Sequence, residues 1–150
     1  LMEEHKPDAV FCDSGGGGGV IDRLRQLRYD VIEIPFGGKA TYPDKYINRR
    51  TEMWWLMKEW VEEGGAIPDN VALKQELATP IYWYDNVGRR VLESKDQIKK
   101  RLQGGGSPDL ADALALTFAL PVGKKQPEDI YIKRRKEATQ KADYDPYKIL

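Results

Sequence analysis

The stretch VFCDSGGGGGVIDRL, residues 10–24, decides the fold. AVFC (9–12) is a short apolar run bounded by turn residues, which predicts a buried strand of the parallel kind. Directly after the glycines, Val20, Ile21, Leu24 and Leu27 recur at helical spacing, with Arg23, Arg25 and Arg28 on the wet side. VIEIPF (31–36) then reads as a second strand. Strand, helix and strand within about 30 residues make a βαβ unit with a right-handed crossover, so the class is α/β. A slack linker does not fit between a strand and an amphipathic helix. The dinucleotide pattern G-x-G-x-x-G fails, because its third glycine falls on Val20 or Ile21. Glu33, placed where a ribose-binding acid would stand, keeps a nucleotide-binding α/β domain open as a weaker alternative. No Walker A pattern can be drawn, since Gly38-Lys39 has Glu33 where the first glycine belongs. What remains is a tight turn that lets another group approach Asp13, a phosphate on the helix amides being one such visitor.

Working outward, LMEEHK (1–6) reads as the last turn of a helix broken by Pro7-Asp8. A loop at 37–46 precedes a helix over 47–63, with Met53, Leu56, Met57 and Trp60 as its apolar face and Gly64-Gly65 as its stop. TPIYWYDNVGRRVLES (79–94) predicts a β-hairpin turning at Asp85 to Gly88. Ser94-Lys95-Asp96-Gln97 has capping-box form and predicts a short helix over 95–102. SPDLADALALTFAL (107–120) predicts the last helix, with Ser107 as N-cap, Pro108 at the first helical position, and Leu110, Ala113, Leu114, Thr117 and Phe118 facing the core. Residues 123–150 read as a charged tail with at most one helix around 128–142.

At 150 residues and 41% apolar, the chain is long enough to bury a core. Its 24 basic and 24 acidic side chains cancel, so any hold on nucleic acid must come from local patches. The single cysteine, Cys12, excludes an internal disulfide and suits a reducing compartment. The single histidine, His5, disfavours a zinc site and a Ser-His-Asp triad. With no apolar run near ~18 residues, a soluble intracellular protein is expected.

Asp13 stands at a strand end, where α/β proteins collect their ligands. It reads either as a carboxylate bonding loop amides or as a metal ligand or general base. Asp109 and Asp112 share one face of a helix start, where an acid also simply complements the helix dipole. Together the three suit a hard divalent cation, Mg²⁺ or Mn²⁺. Two such ions ~3.5–4 Å apart would serve phosphodiester hydrolysis. Arg89, Arg90, Lys95, Lys99, Lys100 and Arg101 cluster on the hairpin and the next helix, as solvated surface or as a contact to a duplex backbone. Lys133 to Lys136 (KRRK) make a second patch in the tail.

FCDSGGGGGVIDRL, IPFGGKA, NRRTEMWW and SPDLADALALTFA, in this order, resemble the C-terminal nuclease domain of the large terminase subunit of tailed bacteriophages. The resemblance spans about residues 1–122 and rests most on NRRTEMWW and SPDLADAL. It implies an RNase H-like mixed sheet flanked by helices, and a metal-dependent endonuclease that cuts concatemeric viral DNA during packaging. It makes Asp13 the second metal-binding acid, Asp109 the third and Asp112 an accessory, with residues 79–94 as a hairpin that contacts DNA or gates the site. It implies double-stranded DNA, the portal protein and the small terminase subunit as partners, in the host cytoplasm. The family's first acid lies on an opening strand upstream of residues 1–6, so an N-terminally truncated nuclease domain is expected. Such a domain would expose a sheet edge and could self-associate. The alternative is a non-catalytic packaging fragment that docks to the portal or to DNA.

Overall fold

Strands β1 (Phe11–Asp13) and β2 (Ile32–Ile34) pair in parallel, Phe11 opposite Ile32 and Asp13 opposite Ile34, in a computed structural model that describes residues 2–15, 18–104 and 106–123. Between them runs α2 (Gly18–Gln26), the expected crossover helix. Its face is narrower than the spacing predicts: Ile21 is buried and Leu24 half-buried, whereas Val20 and Leu27 are exposed. Leu27 lies past the last helical turn, which closes as Arg28 turns left-handed (φ 64°) and the Tyr29 N–H returns to the Leu24 carbonyl at 3.0 Å.

Helix α3 (Arg49–Glu62) is the central pillar. Asn48 caps it by accepting from the Thr51 N–H at 2.9 Å, and Gly64, at φ 99°, ends it as expected. Met53 and Met57 are buried as predicted, but Trp54 completes the face. Leu56 is half-buried and Trp60 lies at the rim against Phe118, with ring centroids 5.6 Å apart. The same helix also buries Arg50, Thr51 and Glu52. Glu52 accepts from the amides of Thr41 (2.8 Å) and Tyr42 (3.2 Å), which fastens the loop over 37–46 to α3.

Helix α4 (Val71–Leu77), capped by Asn70, has no counterpart in the sequence reading. Strands β3 (Tyr82–Tyr84) and β4 (Arg90–Leu92) form the expected antiparallel hairpin. Helix α5 (Lys95–Arg101) follows, with both arms of the Ser94/Gln97 capping box closed at 3.2 and 2.9 Å. Helix α6 (Asp109–Leu116) packs on α3, α4 and β1. Its N-cap is Pro108, not Ser107, and Glu76 of α4 supplies the acceptor that proline lacks, bonding the Leu110 and Ala111 amides at 2.6 and 3.0 Å.

The buried face of α6 is rotated from the predicted one. Ala111, Asp112, Ala115 and Leu116 are buried, Leu114 and Phe118 are partly so, and Leu110 is exposed. Small residues win the interface because they let the α6 backbone approach α3 closely. Ile34, Met53, Trp54, Met57, Leu73 and the α6 alanines make one core. Among the described residues the two strand pairs are separate two-stranded sheets, and an isolated parallel bridge joins Tyr46, in the loop before α3, to Arg90 of β4. Residues 9–121 form one compact unit. Apart from that unit, residues 2–8 hold the one-turn helix α1 (Met2–His5); the helix expected around 128–142 lies outside the described residues.

Candidate functional site

The carboxyl end of β1 opens into a cleft of about 380 Å³, lined by Asp13, Gly15, Gly37, Arg50, Ser94 and Lys95 among others. Asp13 is half-buried, and its Oδ1 accepts from the Gly15 N–H at 3.0 Å. A Cβ built on Gly15 would stand 3.4 Å from both carboxylate oxygens. The turn therefore fixes one oxygen of Asp13 and keeps side chains off the other. Of the two readings of Asp13 from the sequence, loop capping is seen here, on Oδ1.

Asp112 projects from α6 into a buried network. Its Oδ1 accepts from Arg50 Nε at 2.8 Å and from the Trp54 indole N–H at 2.7 Å. Arg50 and Trp54 stand four apart on α3, so one helix face presents both donors. Arg50 Nη1 also donates to the Glu93 carbonyl at 2.8 Å, at the end of the hairpin. Glu93 itself is buried and gripped by Arg101, with Nε on Oε1 at 2.8 Å and Nη2 on Oε2 at 2.7 Å. The Arg101 guanidinium holds the Glu93 carboxyl below its ordinary range, against the cost of burial.

Lys95 joins the two α6 acids. Its ammonium lies 3.3 Å from Asp109 Oδ1 and 3.1 Å from Asp112 Oδ2. Burial works against the Lys95 charge, but the two carboxylates outweigh it and its pKa stands above the usual lysine value. The Asp109 side chain is 73% exposed. Its pKa is lowered, first by the Ser107 hydroxyl and then by Lys95 and Lys99, burial opposing them.

The predicted basic cluster divides. Arg89 is held by Asp85 at 2.7 Å within the hairpin turn, and Arg101 by Glu93. Arg90 stacks on Trp55 at 4.3 Å and on Tyr46 at 5.4 Å. Lys99 and Lys100 sit exposed on α5, and Lys95 faces the cleft. Tyr82, Trp83 and Tyr84 make the exposed strand β3, with Tyr82 edge-on to Trp55 at 5.1 Å.

Among solved structures, the chain is similar to the nuclease domain of the large terminase subunit gp2 of bacterial virus Sf6, with a TM-score of 0.63 at 19% identity, covering 81% of this chain and 69% of that one. A mutant of that domain solved with manganese matches at TM-score 0.60 and 20% identity, over 81% and 70% of the two chains. A mutant solved with calcium matches at TM-score 0.61 and 20% identity, over 81% and 69%. The fold is that of a terminase nuclease domain. No family model matches the chain, and no curated protein matches it.

In this terminase-nuclease fold the α/β, RNase H-like class expected from the sequence is observed. Among the described residues, no three His, Cys, Asp or Glu side chains group closely enough to hold a metal ion. The expected trio of Asp13, Asp109 and Asp112 is thus not drawn together into one ligand cluster. Asp13 lines the cleft, whereas Asp109 and Asp112 are paired with Lys95, and Arg50 and Trp54 occupy Asp112 Oδ1. The donor chemistry still suits a hard cation. Asp13 Oδ2 and the exposed Asp109 carboxylate are oxygens, whereas Asp112 Oδ2 is buried against Lys95. Arg50, Trp54, Glu76 and Glu93 are the site residues that sequence reading missed. The i,i+4 spacing of Arg50 and Trp54 within NRRTEMWW was the available signal.

Proposed function

We propose that the chain is a metal-dependent DNA endonuclease domain of a phage packaging terminase. The observation that carries this reading is that Asp13 and Lys95 line one cleft of this fold, with Asp109 and Asp112 held on Lys95. Asp13 and Asp109 would be the principal ligands of Mg²⁺ or Mn²⁺, with Asp112 as an accessory. Bound divalent ions, two in the arrangement we favour, would polarise the phosphodiester and lower the pKa of a bound water. The protein's own part is positional. Gly15 orients Asp13, α6 presents Asp109, and Lys95 supplies a positive charge that either a carboxylate or a DNA phosphate can take. Lys99 and Lys100, exposed next to Lys95, suit contacts to the duplex backbone.

In this reading double-stranded DNA is the substrate, the portal and the small terminase subunit are the assembly partners, and the host cytoplasm is the site of action. Among the described residues no helix is long and apolar enough to cross a membrane. A second reading, a non-catalytic fragment that docks to DNA or portal, draws support from Lys95 already satisfying both α6 carboxylates. Nicking of supercoiled plasmid in Mn²⁺ separates the two. The nuclease reading expects nicking that Asp13→Ala and Asp109→Ala each abolish; nicking that survives both changes, or none from the unaltered chain, refutes it.

A further inference from the structure

Away from the cleft, the hairpin leaves a set of aromatic rings open to solvent. Strand β3 is Tyr82, Trp83 and Tyr84, all exposed, and Tyr82 and Tyr84 show 51% and 56% of their surface. Standing two apart, these tyrosines share one face of the strand. Leu92 and Arg90 lie opposite them on β4, and the bridge from Arg90 to Tyr46 carries the row on to another ring. Tyr82 meets Trp55 of α3 edge-on, at 5.1 Å and 85°, and Tyr84 edge-on, at 6.2 Å and 80°. Rings paired edge-on do not cover each other's flat faces, so room is left for a further planar group. Beside them opens an apolar cavity of about 410 Å³, lined by Tyr82, Trp54, Trp55, Pro80, Leu92 and Lys58 among others.

Cations are interleaved with these rings. Arg90 lies over Trp55 at 4.3 Å and over Tyr46 at 5.4 Å, Lys58 over Trp55 at 5.2 Å, and Lys45 over Tyr42 at 5.5 Å. Lys58 is paired with Glu62, but among the described residues no carboxylate forms an ion pair with Arg90 or Lys45. Open rings with uncompensated positive charge between them suit a polyanion that carries flat groups. Single-stranded nucleic acid is such a ligand, its bases stacking on rings and its phosphates drawn to the cations. A duplex keeps its bases stacked inside and gives exposed rings little to hold.

We infer that the Tyr82 and Tyr84 face of the hairpin binds unpaired bases of single-stranded DNA. Both tyrosines stack on bases, Arg90 and Lys45 supply the charge, and the cavity beside Tyr82 takes a base turned out of the strand. This rests on the DNA reading given above and is separate from the duplex contact assigned to α5.

The test is an anisotropy titration of the full chain in EDTA, with a labelled oligothymidylate of about 12 nucleotides and a duplex of the same length. Tyr82→Leu and Tyr84→Leu keep apolar bulk and remove the ring. Each is expected to weaken oligothymidylate binding about 5-fold or more and to leave duplex affinity unchanged. Tyr84→Phe keeps the ring and is expected to bind like the unaltered chain. Unchanged oligothymidylate affinity in both leucine variants, or equal losses on both ligands, overturns the inference. A concentration-dependent dimer that the leucine variants dissociate, with no oligothymidylate bound, assigns the face to a protein contact and likewise overturns it. Duplex bound without oligothymidylate refutes this inference alone; neither ligand bound refutes the DNA reading with it.

Discussion

Removing the Glu76 carboxylate tests how the acid-bearing helix α6 is held. Its N-terminus starts on Pro108, which has no side-chain acceptor, and Glu76 Oε2 takes the Leu110 and Ala111 amides at 2.6 and 3.0 Å. Loss of an N-cap costs about 0.5–2 kcal/mol. The anion adds roughly 0.3–1 kcal/mol against the helix dipole when exposed. Glu76 is half-buried, so Glu76→Ala should cost about 2 kcal/mol. Glu76→Gln keeps an acceptor and should cost roughly half a kcal/mol to one, mainly the charge. At roughly 2–4 °C per kcal/mol for a domain near this size, Glu76→Ala should melt about 4–8 °C lower. Thermal unfolding followed by circular dichroism gives the stability. Hydrogen exchange should show faster opening at Leu110 and Ala111 in Glu76→Ala than at Met53 in the core. An unchanged melting temperature, or a Gln variant as damaged as the Ala variant, would refute the capping argument.

Three further outcomes follow from the same contacts. The Glu93 pKa is depressed in the folded state by Arg101, so its contribution is present above the ordinary value of 4.5 and is lost as pH falls through the lower folded value. Urea midpoints measured between pH 3 and 6, all approximate settings, should therefore fall on acidification, and Glu93→Gln should flatten that fall. Gly65→Ala would drive a Cβ into the Trp60 ring, so a loss of about 1–3 kcal/mol is expected in denaturant unfolding. Lys99→Glu with Lys100→Glu should weaken duplex binding irrespective of sequence and reduce the salt slope by about 2, read from anisotropy titrations at several salt concentrations.

The βαβ unit, the hairpin and α5 were legible because each depends on neighbours in sequence: an apolar run, a four-residue turn, a capping box. Helix α4 was not, since VALKQEL carries one buried side chain, Leu73, and its remaining order comes from packing. The α6 face was misjudged for a related reason. Leu110 and Leu114 are the larger apolar groups, yet close approach to α3 selected Ala111 and Ala115. Charge was the least legible property. Nothing local separates Arg50, buried on Asp112, from Arg49 beside it, which donates to Glu52 at 2.9 Å and to the Ala119 carbonyl.

The sequence by itself determined that Asp13 ends a strand, that glycine gives it room, and that Asp109 and Asp112 lie on one side of a helix start. Those are consequences of chain periodicity and of the conformational freedom of glycine. Tertiary structure alone decided how the three acids differ. Asp13 has one oxygen tied to its own turn, Asp109 stands in solvent, and Asp112 is fixed from behind by two residues 58 and 62 positions away. Burial makes that last distinction, because only in a water-poor interior must a carboxylate take its partners from distant parts of the chain.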